Sequence, residues 1–89
     1  MSDLYRLAWR PSARKELNRL DRQVAARILR AVGELTNDPR PPGVTRLTGI
    51  DGLWRIRVGD YRIVYEIQDG ELIVHIVRVA HRSAVYRDL

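Results

Sequence analysis

The segment from Leu53 to Val79 restricts the fold more than any other part of the chain. It opens Leu53-Trp54-Arg55-Ile56-Arg57-Val58, breaks at Gly59-Asp60, runs from Tyr61 to Ile67, breaks at Asp69-Gly70 and resumes from Leu72. β-Branched and aromatic residues dominate the runs. Both breaks are two-residue hairpin signals, Gly-X for a type II′ turn and Asp-Gly for type I′. The expectation is a three-stranded antiparallel meander.

Those turns imply a register. With Gly59-Asp60 as the first loop, Arg57 faces Arg62 and Arg55 faces Val64. With Asp69-Gly70 as the second, Arg62 faces Val77 and Val64 faces His75. Side chains alternate between the faces of a sheet. One face then carries Trp54, Ile56, Val58, Tyr61, Ile63, Tyr65, Ile67, Leu72, Val74 and Ile76, which is a core face. The other carries Arg55, Arg57, Arg62 and His75 among Val64, Ile73 and Val77. Like charges directly opposite one another on a sheet are unfavourable. An anion on that face would relieve Arg57 and Arg62; the alternative is a solvated face whose arginines serve solubility.

The chain of 89 residues is the size of one domain, taken here as residues 1–89. It has no cysteine, so disulfides and thiolate zinc sites are excluded. No apolar run approaches the roughly 20 residues of a membrane helix, and the start of the chain does not read as a signal peptide. A cytoplasmic protein without a membrane association is expected. The net charge of +5 points to a polyanionic partner. Lys15 is the only lysine; the other basic residues are arginines, which hold phosphate but do not accept protons.

Ahead of the meander, Leu4 to Trp9 alternates weakly and predicts a short strand on the same sheet. Pro11 suits a first helical turn, and Ala13, Leu17 and Leu20 follow at helical spacing. Asp21 fits an N-cap for a second helix, Arg22 to about Thr36, with Val24, Ile28, Val32 and Leu35 on one face. The proline-rich stretch 37–43 predicts a stiff connector, with Leu47 tucked inward after it. Two helices on a mostly antiparallel sheet make this an α+β fold.

No Walker loop, dinucleotide fingerprint, serine-hydrolase elbow or zinc-protease motif is present. His75 and His81 have no metal-ligand set around them, so no metal or other cofactor is expected. The residues do suit cleavage of RNA by its own 2′-hydroxyl. That reaction needs a base, cations for the charge building on phosphoryl oxygens, and an acid for the leaving 5′-oxygen. Arg55, Arg57, Arg62 and Arg82 are the candidate cations. Imidazole titrates near neutral pH, which makes His81 a candidate acid or base. Tyr86 is a candidate proton donor or base-stacking residue.

In its opening strand, Pro11 to Leu20, Arg46-Leu47-Thr48-Gly49, the run Trp54 to Tyr65, Val79-Ala80-His81-Arg82 and Val85-Tyr86, the chain resembles the RelE/ParE superfamily of toxin–antitoxin toxins. The resemblance covers nearly the whole chain. It implies a RelE-like, microbial-ribonuclease-like fold and an endonuclease that cleaves mRNA in the A site of the 70S ribosome. It also implies inhibition by a cognate antitoxin in a hetero-oligomer. The family's active-site positions fall on Arg55, Arg57, Arg62, Arg82 and Tyr86, with His81 beside them. Where many RelE toxins carry Lys-x-Lys, this chain has Arg55-Ile56-Arg57, so proton transfer would fall to His81 or Tyr86. ParE-branch toxins share the fold, act on DNA gyrase and generally lack this basic set; they are the alternative.

Overall fold

The computed structural model describes residues 4–47 and 52–83. Thr48, Gly49, Val85 and Tyr86, which the sequence singles out, lie outside the described residues. Among the described residues, five strands and two helices follow in the order β1 (Arg6–Trp9), α1 (Pro11–Asn18), α2 (Arg22–Glu34), β2 (Thr45–Arg46), β3 (Leu53–Val58), β4 (Tyr61–Gln68) and β5 (Ile73–His81). The sheet order is β1-β5-β4-β3-β2. Only the β1–β5 pairing is parallel. β2 has two residues and no alternation to announce it, so the sequence does not predict it.

Both helices start where local chemistry places them. Pro11 occupies the first turn of α1, where its missing N–H is no loss. Asp21 caps α2 by accepting a hydrogen bond from the backbone N–H of Gln23. Ile28, Val32 and Leu35 are fully buried against Ala13, Leu17, Ile56, Ile63, Tyr65, Val74, Ile76 and Val79. This is the expected core face of the sheet with the helices laid on it.

The β3–β4 register is the predicted one, with Arg57 opposite Arg62 and Arg55 opposite Val64. Gly59 takes φ +60°, as a type II′ turn requires of its first central residue. The β4–β5 register differs from the expectation. The loop has four residues, Asp69 to Leu72, because neither Asp69 nor Gly70 adopts the positive φ that a type I′ turn needs. Leu72 takes it instead, at φ +56°, and its carbonyl accepts the N–H of Arg6 at 2.7 Å. A second departure lies between Val64 and Tyr65, where β5 carries one extra residue. Arg62 therefore pairs with Ala80 rather than Val77, and His75 pairs with Glu66 rather than Val64.

The second face is not simply polar. Val64, Val77 and Ala80 are buried there, with Leu47 and Leu53 packed on them. Val64 and Val77 share the face with the arginines, as expected, and the chain covers them itself. Leu47 is tucked inward as expected, onto this face.

Two contacts fasten the connector after α2. The Tyr65 hydroxyl, in a fully buried side chain, donates to the Pro39 carbonyl at 2.6 Å. Tyr65→Phe leaves that carbonyl without its donor and is expected to cost about 1–3 kcal/mol, measured by chemical denaturation. Arg40 forms a two-pronged ion pair with Asp69, at 3.2 and 2.9 Å, and lies 5.1 Å from the Trp54 ring centre. Asp69 also accepts the Tyr5 hydroxyl at 2.7 Å.

The Arg40 hydrogen bonds, and then that of Tyr5, pull the Asp69 carboxyl from its ordinary 3.8 to about 2. A carboxylate with a depressed folded-state pKa contributes stability above its unfolded pKa and loses it as pH falls through the folded one. Acid titration of the melting temperature should therefore show this contribution fading between about pH 3.8 and about 2. Asp69→Asn should flatten that limb; an unchanged limb would mean the pair is solvated away.

Candidate active site

Strand pairing lays two rows across the arginine face. Arg57, Arg62 and Ala80 form one; Arg55, Val64 and Arg78 form the next. Alternation keeps Arg55, Arg57 and Arg62 on one side of the sheet, beside the buried Val64 and Ala80. Arg62 is half-buried, and its Nη1 is buried with no hydrogen-bond partner. Burial, and after it the charges of Arg57, Arg55 and Arg82, lower the Arg62 pKa from its ordinary value, with Asp60 opposing. Its partners are thus cations within electrostatic reach, and its one orphaned donor asks for an acceptor.

The Gly59-Asp60 turn orders the rim of this cluster. Its Gly59 carbonyl accepts from Arg57 Nε at 3.3 Å. Its Asp60 carbonyl accepts the backbone N–H of Arg82 at 2.8 Å. The turn thus ties Arg57 by its side chain and Arg82 by its backbone, at the same end of the sheet as Arg62.

His81 is placed differently. It pairs with Tyr61 across β4 and β5, and their rings meet edge to face with centres 5.5 Å apart. Tyr61 packs against the helix-side core, so register puts His81 on the face opposite Arg62, at the sheet's end. Its Nδ1 lies 3.0 Å from Ser83 Oγ and accepts the Ser83 backbone N–H at 3.3 Å. His75 sits mid-strand, opposite Glu66 and Ala8. The structure thus gathers Arg55, Arg57, Arg62 and Arg82, sets His81 across the strand end from them, and does not describe Tyr86. The sequence shows Ser83 two residues from His81, but with no acid placed to orient the histidine the pair reads only as a poor serine-hydrolase candidate; the hydrogen bonds of Ser83 to the ring and the Asp60 carbonyl have no sequence signal. Among the described residues, no group of three or more His, Asp or Glu side chains is arranged to hold a metal.

The small mixed sheet backed by two helices has counterparts among known proteins. Residues 7–86 match the family described as the ParE toxin of type II toxin–antitoxin systems, parDE. A Mycobacterium tuberculosis protein, Toxin RelE, is 40% identical over 84 residues, spanning 93% of this chain and 87% of the relative. The toxin–antitoxin complex RelBE2 from the same organism superposes with a TM-score of 0.77 at 31% identity, covering 89% of this chain and 99% of the other. A doubly substituted Escherichia coli RelE toxin in the free state gives 0.79 at 25% identity, covering 93% and 88%. The chain belongs to the ParE toxin family of type II toxin–antitoxin systems and is, within the RelE/ParE superfamily, a RelE-like toxin of such a pair.

Proposed function

We propose that this toxin is a ribosome-dependent endoribonuclease that cuts mRNA in the A site through attack of the 2′-hydroxyl, and so stops translation. The observation that carries the reading is the Arg62 Nη1, a buried donor without an acceptor inside a cluster of like charges. An unpaired buried donor costs about 1–3 kcal/mol, and a phosphodiester oxygen removes that cost while neutralising the cluster. The 2′-oxygen attacks phosphorus, the bond to the 5′-oxygen breaks, and charge builds on the non-bridging oxygens between the two events. Arg62, Arg57 and Arg82 stabilise that charge, and Arg55 extends the cluster. Arginine does not take the 2′-proton, so proton transfer lies with His81 or Tyr86. The kinship with proteins named Toxin RelE supports the same reading.

In the cytoplasm, a cognate antitoxin would hold the toxin inactive by covering the arginine face with an acidic segment; a similar structure is that of a toxin–antitoxin complex. Charge rather than exposed apolar surface would drive this, because Val64 and Val77 are already covered. The second reading, a ParE-like inhibitor of DNA gyrase, draws on the description of the matching family. Cell-free translation followed by primer extension separates them. Cuts at A-site codons are expected; intact mRNA together with gyrase-dependent DNA breaks would replace the nuclease reading with the second.

A further inference from the structure

The reaction scheme above leaves the proton of His81 unassigned and makes no use of Ser83, which contacts the ring. A backbone N–H can only donate, so the nitrogen it meets must present a lone pair. That nitrogen is Nδ1, which the Ser83 N–H reaches at 3.3 Å. The Ser83 hydroxyl stands 3.0 Å from the same atom and can donate to it as well. A neutral imidazole carries its one proton on the other nitrogen, Nε2, which has no hydrogen-bond partner among the described residues. The edge-to-face contact with Tyr61 fixes the plane of the ring. Both hydrogen-bonding contacts of the ring thus come from one residue and fall on one nitrogen.

We infer that Ser83 is a positioning residue that holds His81 as its Nε2–H tautomer, so that His81 offers the substrate a hydrogen-bond donor and not a proton acceptor. Its catalytic meaning rests on the endoribonuclease reading. The group it meets there is a phosphodiester or sugar oxygen of an RNA strand passing over the end of the sheet, where His81 stands across from the arginines, and the 2′-proton goes to another acceptor. To act as a base through Nε2, the ring would have to move its proton to Nδ1. That would turn two donors, Nδ1–H and the Ser83 N–H, toward each other. The Ser83 hydroxyl alone could accept from the rearranged ring.

The tautomer can be read without any ribosome. Long-range 1H–15N correlation on the free, 15N-labelled toxin at about pH 8, above the ordinary imidazole titration, distinguishes the two forms. His75→Gln assigns the remaining ring signals. The expected spectrum shows His81 protonated at Nε2 alone; protonation at Nδ1, or an even mixture, overturns the inference. Ser83→Ala keeps the backbone donor, so the tautomer should persist. Single-turnover cleavage on programmed ribosomes should then fall about fivefold, the loss of one ordinary hydrogen bond, and Ser83→Thr should restore it. Equal losses in the Ala and Thr variants would reduce Ser83 to a packing role. An Nε2–H ring in a toxin that leaves ribosome-bound mRNA intact would uphold the ring assignment and sink the nuclease reading.

Discussion

Arg62→Ala is expected to lower single-turnover cleavage on programmed ribosomes by about 10²–10³-fold, the usual effect of removing one preorganised donor from a developing oxyanion. The same variant should keep its melting temperature or raise it. Arg62 faces Arg57 across the strands, lies within reach of Arg55 and Arg82, and buries an unpaired nitrogen. Removing it deletes a repulsion and an unsatisfied donor together. Part of that gain is offset by the lost packing of its aliphatic stem. Activity and stability should therefore move in opposite directions. A loss of cleavage that merely follows a large drop in melting temperature would assign Arg62 to the fold and not to the chemistry.

Glu16→Ala is expected to produce the largest loss of stability, about 2–3 kcal/mol from hydrogen bonds to a charged group. β1 covers the outer edge of β5 only as far as Ile76. Beyond it, Glu16 reaches down from α1. Its Oε1 accepts the Val79 backbone N–H at 2.8 Å, and its Oε2 accepts from Arg78 Nε at 3.0 Å, both partly buried. One carboxylate thus serves the β5 backbone where β1 no longer covers it and ties α1 to it. Glu16→Gln retains an acceptor for Val79 and should recover part of the loss. Denaturant unfolding of the three proteins checks this; a difference below about 0.5 kcal/mol would mean that water replaces the carboxylate.

Much of this was readable in the chain. Gly59-Asp60 reads as a two-residue hairpin turn, so one turn fixes one register, and Arg57 opposite Arg62 followed from it. The helix starts followed from Pro11 and Asp21, while α2 ends at Glu34, short of the expected Thr36. Other features were not written in local pattern. Asp69-Gly70 has the composition of a tight turn, yet the positive φ falls on Leu72, where the Arg6 N–H holds the carbonyl. Leu47 and Leu53 cover Val64 and Val77 through tertiary contact, which alternation cannot announce. For the site, residue types pointed to arginines and a histidine. Only the fold shows that Arg62 buries an unpaired nitrogen and that His81 belongs to the other side of the strand.

The extra residue in β5 decides how this chain can tolerate insertions and deletions. Before it, Val74 and Ile76 point into the core; after it, Val79 does, with Ala80 on the arginine side. Were β5 regular along its whole length, Val79 would leave the core and His81 would exchange sides with Arg82. Removing Val77 from the gene would straighten the strand while leaving residues 78–82 on the sides they now occupy. Removing any single residue between Val79 and Arg82 would invert the side chains that follow. The strand therefore has one place where its length can drop by a residue without inverting the side chains that follow, and that place is the Val77–Arg78 bulge.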